Sequence, residues 1–191
     1  MKRHPWVWAK RFLLALVVLI ILGSIGLAIY VKPEASIGWA PPVHVSLRER
    51  VEAMIDQRAF EIKLTEDEIN GYASEWMLTE GFQKPEIKRW NLQGLQIESQ
   101  DEVLHLRVAA KPWLGLDVGV NLDMKQEFEA SSGIIKLIPM KLYVKDIELP
   151  LGWFDLKTIE VNPADYMSEW VKVKSVQFGD HYWNIRLGLR L

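Results

Sequence analysis

From Phe12 to Val31 the chain runs for 20 residues without an Asp, Glu, Lys or Arg, and no other feature limits the fold as much. A helix rising about 1.5 Å per residue over that run would be about 30 Å long, the thickness of a bilayer's hydrocarbon core. The rival reading is a cleaved secretory signal, whose apolar region is usually about 7 to 15 residues long and ends in a small-x-small site. Ala28-Ile29-Tyr30 puts a bulky side chain where such a site wants a small one, so the sequence predicts a retained transmembrane helix over 12–31. Lys2, Arg3, Lys10 and Arg11 precede the run, while only Lys32 and Glu34 flank its far end. The excess of positive charge on cytoplasmic flanks then predicts a cytoplasmic N-terminus over 1–11 and a remainder facing outward. Trp6 and Trp8 on one side and Tyr30 on the other suit the two membrane interfaces.

The net charge of −2 hides an asymmetry. The first 32 residues hold five basic side chains and no acidic one, which leaves 18 basic against 25 acidic residues, a net −7, from residue 33 onward. Phosphate backbones are bound by clustered Lys and Arg, so an outer part this acidic is not built for nucleic acid. The absence of cysteine excludes disulfides, thiolate nucleophiles, Cys-ligated zinc and a lipidated-cysteine anchor. At 191 residues the chain has room for one domain with a hydrophobic core besides the anchor.

Pro33, Gly38, Pro41 and Pro42 block helix and strand and predict an extended linker over 32–45. The domain proper then occupies 46–191. Ser46-Leu47-Arg48-Glu49 has the form of a capping box, and Leu47, Val51, Met54 and Ile55 fall on one helical face, predicting a first helix over 47–57. Thr65-Glu66-Asp67-Glu68 repeats the box, with Leu64 and Ile69 as a hydrophobic staple around it. Ile69, Tyr72, Ala73, Trp76 and Met77 continue at helical spacing, so this second helix should have one buried face. Asn70-Gly71 is discordant, because the pair favours hairpin turns and Gly costs about 1 kcal/mol inside a helix; cap and periodicity outweigh it.

After Trp90 the period changes from 3.6 to 2. Leu114, Leu116, Val118, Val120, Leu122 and Met124 alternate with polar positions, as do Leu104, Leu106 and Val108, then Met140, Leu142 and Val144, and finally Trp183, Ile185, Leu187, Leu189 and Leu191. Long strands with one apolar face make antiparallel sheet. Asn162-Pro163 offers a cap and first position for a short helix through Ala164, Met167 and Trp170. The expected architecture is α+β: a curved antiparallel sheet covered on one face by two or three helices.

Chemistry-bearing patterns are sparse. His4, His44, His105 and His181 include no pair at metal-ligand spacing, and His105 and His181 fall at wet or turn positions. Asp101-Glu102 reads as a hairpin turn, Glu127 and Glu129 as the outward face of a strand end, and Ser131-Ser132-Gly133 as a turn. No nucleophile elbow, phosphate-binding loop or dinucleotide fingerprint occurs. The expectation is a protein that is not an enzyme, with no catalytic, metal or cofactor site.

The informative excess is aromatic. Seven of the nine Trp lie beyond the membrane run, and two Pro/Gly turns carry apolar side chains: Lys111-Pro112-Trp113-Leu114-Gly115 and Leu149-Pro150-Leu151-Gly152-Trp153-Phe154. Trp113, Leu151, Trp153 and Phe154 are therefore the candidate residues of an apolar rim that touches acyl chains or the outer leaflet. The other reading folds these turns over an open sheet end as a plug of the core.

Phe60-Glu61-Ile62-Lys63-Leu64-Thr65-Glu66-Asp67-Glu68-Ile69-Asn70, together with Lys141-Leu142-Tyr143-Val144-Lys145-Asp146-Ile147-Glu148-Leu149-Pro150 and the anchor, resembles the YpmS-like family of small membrane-anchored proteins of Gram-positive bacteria. The layout is also similar to the tubular lipid-binding superfamily, in which a curved sheet wraps a helix and encloses acyl chains. The resemblance implies an envelope protein that handles lipid by analogy of fold, and it supplies no site residue. The functional expectation is a non-catalytic, single-pass cell-envelope protein that binds a lipid or other apolar ligand between sheet and helices. The alternative is a structural or interaction module that docks another envelope protein and holds no ligand.

Overall fold

The computed structural model describes residues 5–33, 36–43, 49, 60–88, 90–111, 116–154, 156–166 and 171–189, with the side chains of the first helix described from Leu16 on. The helix expected over 47–57, apart from Glu49, the turn 112–115 that carries Trp113, and the segment 167–170 lie outside these residues.

Helix α1 runs from Pro5 to Tyr30, and Val31 N–H still bonds back to Leu27 C=O at 2.9 Å. From Leu16 to Ile29 it carries no charged side chain, and Leu19, Leu22 and Leu27 are each more than 60% exposed. Over the residues described with their side chains, no helix is long and apolar enough to cross a membrane; the uncharged run extends back to Phe12 in the sequence.

The domain is α+β and its strands pair antiparallel throughout. Strand β1 (Glu61–Thr65) leads directly into α2 (Glu66–Thr79). A short helix α3 (Pro85–Lys88) follows a 3-10 turn at Gly81–Gln83. Next come β2 (Leu92–Gln100), β3 (Val103–Ala110), β4 (Val118–Glu129), β5 (Ile134–Val144), β6 (Ile147–Leu149) and β7 (Ile159–Val161). The chain closes with the hairpin β8 (Val171–Gly179) and β9 (Tyr182–Leu189). These strands form two sheets rather than one. The larger has the order β2-β3-β4-β5-β6 with β7 also on β5, and the smaller has the order β1-β9-β8.

Burial explains the division. The alternating apolar positions of β2 to β5 supply Leu95, Ile97, Leu104, Met124, Ile135 and Leu137 to the core, and the small sheet supplies Ile62, Leu64, Val171, Val173, Ile185 and Leu187. Each such side chain removed from water contributes about 1.5 to 3 kcal/mol. Among the described residues both the small sheet and α2 pack on the large one, α2 through Ile69 with Tyr72, Ala73 and Met77 beside it. Ser99 and Gln126 are the polar members of this face; Gln126 Nε2 donates to Ser99 Oγ at 3.2 Å and to Asp101 C=O at 3.0 Å, tying β4 to the β2–β3 turn. A bulge between Asp123 and Met124, opposite Pro139 and Lys141, shifts the pairing of β4 with β5. It leaves Met140 exposed while Leu142 stays buried, which breaks the alternation expected across Met140, Leu142 and Val144.

Helix α2 starts as the sequence predicts: Glu68 N–H bonds to Thr65 Oγ1, and Thr65 N–H bonds to Glu68 Oε2 at 2.8 Å. Its expected apolar face packs on the core through Ile69, Tyr72, Ala73 and Met77, and a second face is buried as well. Besides Ile69, the most buried positions are Asn70, Gly71 and Ser74, a second face that lies against the edge of β2 and against residues 40–43. The described part of the segment expected over 162–170 is a 3-10 turn at Pro163–Tyr166, closed by Asn162 Nδ2 donating to Asp165 Oδ1 at 2.8 Å.

Candidate functional site

The stretch between α1 and the domain has neither helix nor strand from Ser36 to Val43, and it is fastened to the sheet. Gly94, Ala109 and Gly119 are paired in one row across β2, β3 and β4. An added Cβ on Gly119 would stand 2.8 Å from Pro33 Cα, and one on Gly94 would stand 2.1 Å from Ile37 C=O. Small residues in register thus let a second layer of backbone lie against the sheet at both ends of the row. Beyond it, Leu95 N–H bonds to Gly38 C=O at 3.3 Å, Trp39 meets Phe82 edge to face with centroids 5.6 Å apart, and Ala40 N–H bonds to Ser74 Oγ at 3.1 Å. Gly71 completes the path, because a Cβ there would strike Val43 and Pro41 C=O. Residue 33 and residues 36–43 form a strap.

The strap begins at the helix end itself. Gly119 N–H donates to Val31 C=O at 2.9 Å, and Lys145 Nζ sits 5.0 Å from the centroid of the Tyr30 ring. The Asn121–Tyr143 pairing, continued by two residues, brings Lys145 level with Gly119, so one end of the large sheet meets the end of α1.

At that end the apolar face opens. Along β4, Met124 is 1% exposed, Leu122, Val120 and Val118 are half-buried, and Leu116 just before the strand is 36% exposed. Leu106 and Val108 on β3 are half-buried against the core beside them. Burial thus falls along β4 from Met124 to Leu116, while Ala110, paired with Val118 on the neighbouring strand, stays 4% exposed.

The expected rim residues are not brought into one group by the described structure. Leu151 and Phe154 are half-buried and Trp153 is 75% exposed on a 3-10 turn beyond β6, and Trp113 falls outside the described residues. Ile147, at the β5–β6 turn near Lys145, is 51% exposed; sequence reading missed it because a lone apolar residue in a short strand carries no pattern. A hollow of about 670 Å³ lies at the opposite end of the sheet, lined by Gln100, Asp101, Glu102, Val103, His105 and Phe178. Its walls are polar and apolar in about equal measure, and it is separated from α1 by the length of β3.

Several titratable groups are paired. His105 Nδ1 meets Asp123 Oδ1 at 2.7 Å, and Arg107 pairs with Glu98 at 3.1 Å; both are cross-strand pairs on the wet face. His181 Nδ1 meets Glu66 Oε2 at 2.5 Å, and that hydrogen bond and charge hold the imidazole above its usual range. The Ser132 hydroxyl and then Lys136 hold the Glu129 carboxyl below its usual range. Among the described residues no three His, Asp or Glu gather as a metal site. Among the described residues the arrangement offers an apolar surface along β4 and its neighbours. Comparison with protein-family models, with curated proteins and with solved structures finds no match.

Proposed function

We propose that the chain is a non-catalytic, single-pass membrane protein whose outer domain takes up an acyl chain on the open part of its sheet. The observation that carries this reading is the gradient along β4, from Met124 in the core to exposed Leu116, at the end that the Gly119–Val31 hydrogen bond joins to α1. An apolar surface beside an exposed helix that carries no charged side chain from Leu16 to Ile29 has lipid as its natural partner. The uncharged run and the basic residues before it support a cytoplasmic segment over 1–11 and a domain outside. An envelope-protein partner is the second reading, favoured by Trp153, since an aromatic side chain exposed to this extent is a common anchor of protein interfaces.

Photoactivatable phospholipid incorporated with the full chain in nanodiscs tests the proposal. Label is expected in peptides covering Leu106–Val108 and Val118–Leu122 as well as in α1. Label confined to α1 would reject lipid uptake by the domain and leave the anchor in place. Protease added to intact spheroplasts should digest the domain; a protected domain would overturn the orientation.

A further inference from the structure

We infer that the strap seats the domain on the membrane, so that the end of the sheet carrying Leu116, Lys145 and Ile147 is a binding surface for the outer leaflet. The inference rests on the reading that α1 crosses the bilayer. In that case the uncharged run ends at Val31, and Tyr30 and Val31 lie at the boundary of the hydrocarbon core. The sheet begins at that level. Val31 C=O accepts from Gly119 N–H, Tyr30 carries the Lys145 ammonium over its ring, and Pro33 lies against Gly119. Three contacts within residues 30–33 tie the helix end directly to the domain, and residues 36–43 make further contacts with the sheet and with Gly71 and Ser74 of α2.

The groups displayed at this level match an interface. Leu116, three residues before Gly119, and Ile147, two residues after Lys145, are exposed apolar side chains, able to enter the headgroup and acyl boundary. Lys145 at the same level can meet lipid phosphate, as basic side chains do at interfaces. The far end of the sheet, with Asp101 and Glu102 at the β2–β3 turn, is acidic and exposed and would be repelled by anionic headgroups. The end with exposed Leu116 and Ile147, where Lys111 and Lys145 stand beside Asp117, Asp146 and Glu148, thus faces the bilayer through its apolar side chains, and the end with Asp101 and Glu102 faces away.

The chain has no cysteine, so single labels can be placed at will. Full-length protein carrying Ile21→Cys, Leu116→Cys, Ile147→Cys or Asp101→Cys, each labelled with an environment-sensitive fluorophore, is reconstituted in vesicles of phosphatidylglycerol and phosphatidylcholine. The lipids carry nitroxides near the headgroup or deep in the acyl chain. The expected result is loss of fluorescence at Leu116 and Ile147 with the shallow nitroxide, at Ile21 with the deep one, and at Asp101 with neither. Quenching at Ile21 without quenching at Leu116 and Ile147 overturns this inference alone, whereas no quenching at Ile21 overturns the membrane reading beneath it. Gly94→Val, which drives a side chain into Ile37 C=O, is expected to abolish quenching at Leu116 and Ile147 and keep it at Ile21. Ser74→Ala, which removes only the acceptor for Ala40 N–H, should reduce it partway in a chain that still melts cooperatively. Undiminished quenching at Leu116 and Ile147 in both variants would show that the strap does not seat the domain.

Discussion

The side-chain amide of Asn70 stands in for a neighbouring strand at Ile97: Ile97 N–H donates to Asn70 Oδ1 at 2.6 Å, and Asn70 Nδ2 donates to Ile97 C=O at 2.7 Å. Ile97 lies in β2, the edge of the large sheet, and its neighbours along that edge are also satisfied. Leu95 N–H goes to Gly38 C=O, and Ser99 C=O accepts from His181 N–H at 2.8 Å. Strap, helix and hairpin turn each close one position of an edge that would otherwise template pairing with another chain.

Asn70→Ala should therefore cost much more than a surface change in α2. It leaves a buried N–H and a buried C=O without partners, each worth about 1 to 3 kcal/mol, so a loss of about 2 to 6 kcal/mol is expected. Urea melts of the two proteins measure it. A loss below about 0.5 kcal/mol, the usual range for surface changes, would mean that water replaces the amide without penalty.

Thr65→Ala removes the acceptor for Glu68 N–H and should destabilise the domain by about 1 kcal/mol. Glu68→Ala should cost less, because Thr65 N–H lies at an exposed position where water can bond it. Thermal midpoints of the two variants, ranked in that order, would support the reciprocal cap.

The contrast between these two residues shows how much the sequence makes legible. Thr65, Glu68, Leu64 and Ile69 act within one turn of chain, so their spacing alone predicts the cap and staple that the structure contains. Asn70-Gly71 reads locally as a turn, and its reason lies 27 residues away at Ile97 and across the strap at Val43. The same holds for Gly94 and Gly119: they look like weak points in strands until their register with Ala109 brings them into one row. Alternation predicts which faces of β3, β4 and β9 are apolar, but which layer covers them depends on long-range pairing. The β1-β9-β8 sheet, which joins residues 61–65 to the last hairpin, has no local signature. The bulge at Met124 likewise moves Met140 to the surface against its alternation.

His181 should make the domain's stability depend on pH. Its imidazole is held above the ordinary value by the hydrogen bond and charge of Glu66, so the protonated form favours the folded state. That contribution is fully present below about pH 6.5, the unfolded value, and fades as pH rises through the higher folded value. His181→Asn keeps the positive φ of 64° tolerable and leaves the backbone bonds to Ser99 and Glu66 in place. Denaturation midpoints between pH 6 and 8 should fall with rising pH in the wild type and flatten in the variant. The exposure of the pair keeps the effect small, and equal slopes in both proteins would remove His181 as its source.

Trp153 and Phe154 are adjacent, yet they should respond differently to the same change. Trp153 is 75% exposed, so Trp153→Ser should alter stability by less than about 0.5 kcal/mol, as exposed substitutions do. Phe154 is half-buried beside Leu151 at the end of the 3-10 turn, where its N–H bonds to Leu151 C=O at 3.0 Å. Phe154→Ser should cost clearly more, though less than the about 3 to 5 kcal/mol of truncating a fully buried aromatic. Once stability is shown to be unchanged, Trp153→Ser becomes a clean probe of binding. Lost association with an envelope protein, at unchanged labelling by photoactivatable lipid, would assign Trp153 to a protein interface. Lost lipid labelling would instead extend the lipid surface to the turn after β6. A large drop in melting temperature for Trp153→Ser alone would contradict its exposure and return this turn to the role of a core plug.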